Sequence, residues 1–111
     1  MGRTAVIVAV AIAATCAPAI ADDTNGGAPD PQMVDKGKAL YYRHCVHCHG
    51  INMVNPGTVS FDLRQFPRDD KARFVNSVTR GKADRMPPWG DILSGGEIDA
   101  LWAYVRTGGH P

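Results

Sequence analysis

The chain has 111 residues, 44% of them hydrophobic, and its 12 Lys and Arg against 11 Asp and Glu give a formal net charge of +1. That length confines it to one small domain, and a charge so close to zero gives no electrostatic basis for nucleic-acid binding. Three cysteines are too few for a disulfide-stapled scaffold.

Residues 1–21 read as an address rather than as fold. Arg3 supplies a positive start, residues 5–14 form an unbroken apolar run, and Ala19, Ile20 and Ala21 make an A-x-A cleavage site. A membrane span needs roughly 20 apolar residues. Thr15, Cys16 and Pro18 end this run well short of that, so a removable signal peptide, a periplasmic location and no integral membrane anchor are expected. Cys16 raises a lipoprotein alternative, but Ala13, Ala14 and Thr15 lack the leucine and small residue of such a signal. Loss of Cys16 leaves Cys45 and Cys48, so no structural disulfide is expected even in an oxidising compartment. The remaining 90 residues, with 11 basic and 11 acidic side chains, are marginal for a core built from side chains alone.

Residues 22–30, with Gly26, Gly27 and Pro29, read as a flexible N-terminal segment. A helix follows, with Asp30 as N-cap, Pro31 at its first position, and Met33, Val34, Gly37, Leu40, Tyr41 and His44 on neighbouring turns. Gly37 costs about 1 kcal/mol in a helix interior relative to alanine, which a close crossing by another helix would explain. A loop over residues 50–67 leads to a middle helix from about Asp69 to Arg80, with Phe74, Val75 and Val78 inward and Gly81 closing it. The last helix opens on a capping box, Ser94 with Glu97, and carries Ile98, Leu101, Trp102 and Val105 as its apolar stripe before Gly108 and Gly109 end it. The domain therefore spans residues 31–108, with a tail at 109–111.

The first helix delivers the most informative residues, Cys45, Val46, His47, Cys48 and His49. C-x-x-C-H is the spacing for covalent haem attachment: two thiols add to the two vinyl groups of one porphyrin, and the following histidine reaches the iron. A C-x-x-C pair also fits a thioredoxin-like couple or half of a zinc site. The first wants a preceding strand and the second a further ligand pair, and neither is present. One haem c, attached through Cys45 and Cys48 with His49 on the iron, is the reading, and the buried porphyrin would supply the apolar surface the short chain lacks.

An iron held by His49 alone would be open to small ligands, whereas a second, thioether ligand would close it and raise its potential. Met33 belongs to the first helix's stripe, and Met53 follows His49 too closely to reach the opposite haem face. Met86 stands 37 residues beyond His49 and is followed by Pro87 and Pro88, which restrict the backbone behind it, and it is the candidate ligand. Trp89 either covers a haem face or lines the contact surface, or else packs in the core. His44 and His47 are expected as surface polar residues, and His110 lies in the terminal tail. Arg64, Arg68, Lys71, Arg73, Arg80, Lys82 and Arg85 concentrate positive charge in residues 64–85. Singly they read as a solvated face, and together they would steer an acidic partner.

Gly37 and Tyr41 before C-V-H-C-H-G, then M-P-P-W-G, then Leu101 and Tyr104 three apart, make the chain resemble a class I bacterial cytochrome c over nearly all of its mature length. The resemblance implies an all-α fold of three principal helices around one haem, axial ligands His49 and Met86, and packing of Gly37 and Tyr41 on Leu101 and Tyr104. It also implies a proline carbonyl holding the Nδ1 proton of the haem histidine, for which Pro56 is the nearest match. Residues 52–64, M-P-P-W-G-D and residues 97–105 are further similar to small periplasmic cytochromes that accept electrons from dehydrogenases dependent on pyrroloquinoline quinone (PQQ). The chain is thus expected to be a monomeric one-electron carrier and not an enzyme. Its expected donor is a PQQ-dependent alcohol dehydrogenase and its expected acceptor a downstream cytochrome or oxidase. The alternatives are service to another respiratory enzyme, or a haem enzyme or gas sensor with an open axial site.

Overall fold

A computed structural model describes Gly2, Ala5, residues 7–15 and residues 27–110. Cys16 and the expected cleavage site at Ala19, Ile20 and Ala21 lie outside the described residues. Among the described residues, no helix is long and apolar enough to cross a membrane. The described residues form four helices in chain order: α1 (Pro31–His44), a single turn α2 (Val46–His49), α3 (Lys71–Arg80) and α4 (Gly95–Val105). Short 3₁₀ turns lie at Ile51–Met53 and Leu63–Gln65, and among the described residues the only β-type pairing is an isolated bridge between Lys82 and Met86.

The helix ends follow the chemistry of their caps. Asp30 accepts the backbone N–H of Gln32 at 2.9 Å, with Pro31 at the first helical position. Asp70 accepts from the N–H of Arg73 at 3.1 Å, so α3 starts two residues later than the sequence reading placed it. The capping box of α4 forms both ways: the Glu97 N–H donates to Ser94 Oγ at 3.2 Å, and the Ser94 N–H donates to Glu97 Oε2 at 2.9 Å. The bond from the Ser94 N–H, the first cause, holds the Glu97 carboxyl below its ordinary range. At its other end α4 stops at Val105, short of Gly108 and Gly109, which follow in left-handed conformations.

The last helix is the centre of the domain. Ile98 and every residue from Ala100 to Val105 are buried, wider than the stripe the periodicity marks. Buried positions that run most of the way round a helix must be covered on more than one side, and α4 is flanked by α1 and, opposite it, by α3 with Phe66. On one flank α1 crosses it, bringing Val34, Gly37, Leu40 and Tyr41 into the core. The ring centroids of Tyr41 and Tyr104 lie 5.2 Å apart, and Gly37 sits against the Ala100 carbonyl with Tyr104 Cβ just beyond. On the other flank Trp102 meets Phe66 at 6.0 Å and Phe74 of α3 at 5.2 Å. Lys71 of α3 pairs with Asp99 of α4 at 3.1 Å on the rim of that contact.

Candidate haem site

The histidine is positioned by its own helical turn and by a loop that returns to it. In α2, Cys48 and His49 both direct their N–H groups to the Cys45 carbonyl, at 3.2 and 3.0 Å, which draws the motif into one turn. Gly50 follows at φ +82°, where a side chain would strike the Val54 carbonyl, so glycine is required for the chain to turn away. Asn52 and Met53, both in left-handed conformations, complete that turn. Tyr41 donates to the Gly50 carbonyl at 2.6 Å, and Tyr42 donates to Asn52 Oδ1 at 2.8 Å. Two adjacent tyrosines of α1 therefore secure the backbone just beyond His49.

His49 Nδ1 lies 3.1 Å from the carbonyl oxygen of Phe61. A carbonyl only accepts, so Nδ1 carries the hydrogen and Nε2 keeps its lone pair for a metal. Burial holds the His49 pKa below its ordinary value, outweighing the opposing Phe61 bond, and so keeps the ring in the neutral form that binds iron. The sequence reading placed this acceptor at Pro56, and the structure corrects it. Pro56 instead packs near Gly50, and Phe61, twelve residues after the histidine, supplies the oxygen. Any backbone carbonyl can accept this bond, so the residue type carries no signal and only the path of the loop selects the position.

Cys45 is half-buried against the core and Cys48 is exposed, and both are free thiols. Burial, helped by the neighbouring Cys48, pushes the Cys45 thiol up to about 11, so it is protonated at neutral pH. Thioether formation at a porphyrin vinyl group would place the thiol sulfur on one vinyl carbon and its hydrogen on the other. His47 is exposed, as expected, whereas His44 is half-buried and lies against Trp89 with ring centroids 5.1 Å apart. His44 is therefore a packing residue rather than a surface one, a contact between distant segments that local sequence does not reveal.

Met86 is half-buried and packs against the core from a tightly tied loop. The N–H groups of Trp89 and Gly90 donate to the Val78 and Thr79 carbonyls at 2.9 and 3.1 Å, using acceptors that the end of α3 leaves open. Lys82 donates to the Met86 carbonyl at 2.9 Å, and Arg85 to the Lys82 carbonyl at 2.9 Å, closing a small turn with Ala83 left-handed at its tip. Gly81 makes this possible: a side chain there would collide with the backbone of Met86, Pro87 and Pro88. Gly81 thus does more than end α3, a role visible only once the loop is seen folded back on it. Met33 is half-buried and Met53 fully buried against the core.

Of the seven basic residues between positions 64 and 85, four are engaged. Arg64 forms a bidentate pair with Asp62 at 2.9 and 2.8 Å, Lys71 pairs with Asp99, Arg73 lies over the Phe66 ring at 5.1 Å, and the Arg68 guanidinium rests beside Gly108. Arg80, Lys82 and Arg85 are exposed, and they are the residues nearest Met86 in the chain.

The residues present fit a covalently attached haem. A neutral imidazole with its outer nitrogen already bonded, two free thiols on one helical turn and a thioether on a restrained loop form the donor set such a group requires. Ile51, Val54, Val59, Phe61 and Ile92 are also exposed apolar side chains, four of them in the loop that follows His49. A porphyrin beside that loop accounts for them better than water does.

Helices crossing at Gly37, the two-cysteine turn with its oriented histidine and the methionine loop define a class I monohaem cytochrome c. Residues 32–105 match the family model described as cytochrome c oxidase, cbb3-type, subunit III, and the chain belongs to this family. Among its relatives are the cbb3-type cytochrome c oxidase subunit CcoP of Azospirillum sp. (strain B510), 35% identical over 92 residues, and the quinohemoprotein alcohol dehydrogenase ADH IIB of Pseudomonas putida, 34% identical over 79 residues. These alignments take in 75% and 69% of this chain but 31% and 11% of the respective relatives, so the chain corresponds to one part of each. In fold it is similar to cytochrome CL from the methylotroph Methylophaga aminisulfidivorans, with a TM-score of 0.56 at 23% identity over 70% of this chain and 54% of that one. As a cytochrome c domain the chain carries the electron-transfer type of site, and its cofactor is one covalently attached haem c.

Proposed function

We propose that the chain is a periplasmic one-electron carrier, exported by residues 1–21, with haem c bonded to Cys45 and Cys48 and ligated by His49 and Met86. It takes electrons from a PQQ-dependent alcohol dehydrogenase and passes them to the respiratory chain. The haem supplies the Fe(III)/Fe(II) couple. His49, its ring fixed at Nδ1, would hold the iron through the Nε2 lone pair, and Met86 would supply a thioether that favours the reduced state. With both residues on the iron, no position would be left for a substrate. The half-buried Cys45, Met86 and Trp89 against the core limit water rearrangement as the charge changes.

The observation that carries this reading is the bond between His49 Nδ1 and the Phe61 carbonyl, which prepares one imidazole nitrogen for iron directly beside two free thiols. The likeness to quinohemoprotein alcohol dehydrogenases supports the donor class, since in those relatives the matching segment belongs to the same chain as the dehydrogenase. The likeness to cbb3-type oxidase subunits supports a second reading, in which the carrier serves such an oxidase. Arg80, Lys82 and Arg85 beside Met86 supply the basic surface for an acidic partner.

The test mixes the oxidised protein with a purified PQQ-dependent alcohol dehydrogenase and its alcohol, and follows haem reduction by stopped-flow absorbance across ionic strength. Fast, saturable reduction that slows with salt is expected. Slow, non-saturating reduction of a protein that dithionite reduces readily would discard this donor and leave the oxidase reading. Rapid carbon monoxide binding by the native reduced protein would overturn closed axial ligation.

A further inference from the structure

We propose that Asn55 is a positioning residue that tunes the iron through His49, by holding the loop so that the Phe61 carbonyl meets His49 Nδ1. The proposal rests on the reading of His49 as the iron ligand. A hydrogen bond between residues twelve apart needs an ordered path between them, and the middle of this loop adds no residue to the protein core. Pro56, Gly57, Thr58 and Val59 are all exposed, Val59 completely. Polar bonds from one half-buried side chain provide the order instead. Asn55 Oδ1 accepts from the N–H groups of Gly57 and Thr58, both at 2.9 Å, and its Nδ2 donates to the Ser60 carbonyl at 2.6 Å. Both ends of the amide are used, and they fix the chain as far as Ser60. The next carbonyl is the Phe61 oxygen on the histidine.

Thr58 ties the same loop to the haem-binding turn. Its hydroxyl donates to the Cys48 carbonyl at 3.0 Å, so the loop is clamped onto α2 at the residue before His49. Beyond Phe61, the anchors are the edge contact of its ring with Phe66 at 6.3 Å and the Asp62 cap over Arg64. Those set where the strand of loop ends. Asn55 sets how it arrives.

The chemical consequence follows from the bond itself. A carbonyl held firmly on Nδ1–H draws that proton outward, gives the imidazole more anionic character and makes Nε2 a stronger donor, which stabilises Fe(III). Loosening the loop weakens the bond and favours Fe(II). Asn55 thereby does with three hydrogen bonds what a proline at the acceptor position would do with a restrained ring.

The experiment compares the haem-loaded wild type with Asn55→Ala, Asn55→Ser and Thr58→Val. All are uncharged, so none adds an electrostatic shift of its own. Two quantities are read: the reduction equilibrium against redox dyes, and the proton NMR resonance and solvent exchange of the iron-bound imidazole's Nδ1–H. Asn55→Ala is expected to move the equilibrium toward the reduced form by about threefold to tenfold, tenfold being about 59 mV for one electron, and to speed exchange of that proton. Asn55→Ser, which keeps an acceptor for the turn but loses the donor to Ser60, should fall between the alanine variant and wild type. Thr58→Val should move both readouts the same way. If Asn55→Ala does not fold, the other two decide the matter, and unmoved values in both overturn the proposal. A folded Asn55→Ala with unchanged potential and unchanged exchange also overturns it. A wild type lacking any haem-shifted imidazole Nδ1–H overturns the ligand reading, and this proposal with it.

Discussion

Replacing Gly37 with alanine puts one methyl group into the crossing of α1 and α4. The added Cβ would lie deep inside contact distance of the Ala100 carbonyl and 3.0 Å from Tyr104 Cβ. The first obstacle is backbone, which cannot swing aside as a long side chain can, so the helices must separate. A radial gap of about 0.5–1 Å forfeits roughly a quarter to a half of the dispersion energy of the atoms that faced each other. Here those atoms include Val34, Leu40 and Tyr41 on one helix and Leu101 and Tyr104 on the other, all buried. Overpacking typically costs about 1–3 kcal/mol and sometimes more, while alanine's better helix propensity returns about 1 kcal/mol. Because the intrusion meets backbone, the net loss is placed at about 2 kcal/mol, which for a domain of this size lowers Tm by about 8–16 °C. Guanidinium titration of the oxidised holoprotein, followed by both far-UV circular dichroism and haem absorbance, measures the loss directly. A Gly37→Ala midpoint equal to or above wild type, with the same slope, would refute the claim that the glycine is there for the crossing.

Three further outcomes are expected. Ser94→Ala removes the N-cap of the central helix and half of its capping box, and should cost about 1 kcal/mol by the same titration; a midpoint unchanged would mean the packing of α4 does not depend on its cap. Burial pushes the Tyr104 phenol up to about 12 and Tyr41 above its ordinary value, so both are favoured neutral in the folded state. The unfolded chain loses these protons near pH 10 and the folded one only at higher pH, so their contribution to stability is complete below about pH 10 and declines as pH rises toward 12. Denaturant midpoints should therefore fall over that window and fall less in the Tyr41→Phe, Tyr104→Phe double variant; identical pH slopes would exclude the two phenols as the cause. Met86→Ala should open the iron to carbon monoxide and lower the reduction potential, and an unchanged potential would remove Met86 as ligand.

Much of the local structure was readable from the chain. Asp30 with Pro31, and Ser94 with Glu97, signal helix starts because a cap is a contact between residues two or three apart. The glycine at position 37 pointed to a helix crossing because nothing in its own helix justified its cost. Other features were hidden. His44 gave no sign of meeting Trp89, and Pro56 drew attention away from Phe61, because those partners are set by how loops travel and not by residue type. The run of basic residues looked uniform in sequence, yet Arg64, Arg68, Lys71 and Arg73 are engaged by acids, a ring and Gly108, and Arg80, Lys82 and Arg85 are left exposed near Met86 in the chain.

The chemistry of the site, two thiols and an imidazole at fixed spacing with a thioether downstream, is therefore determined by sequence alone, because covalent spacing along one helical turn leaves little to the rest of the chain. The orientation of that chemistry is tertiary. Which oxygen holds His49, how Gly81 lets the Met86 loop lie back on α3 and how Asn55 ties its loop all depend on backbone groups, which every residue carries alike. Such groups acquire an address only when the chain is folded.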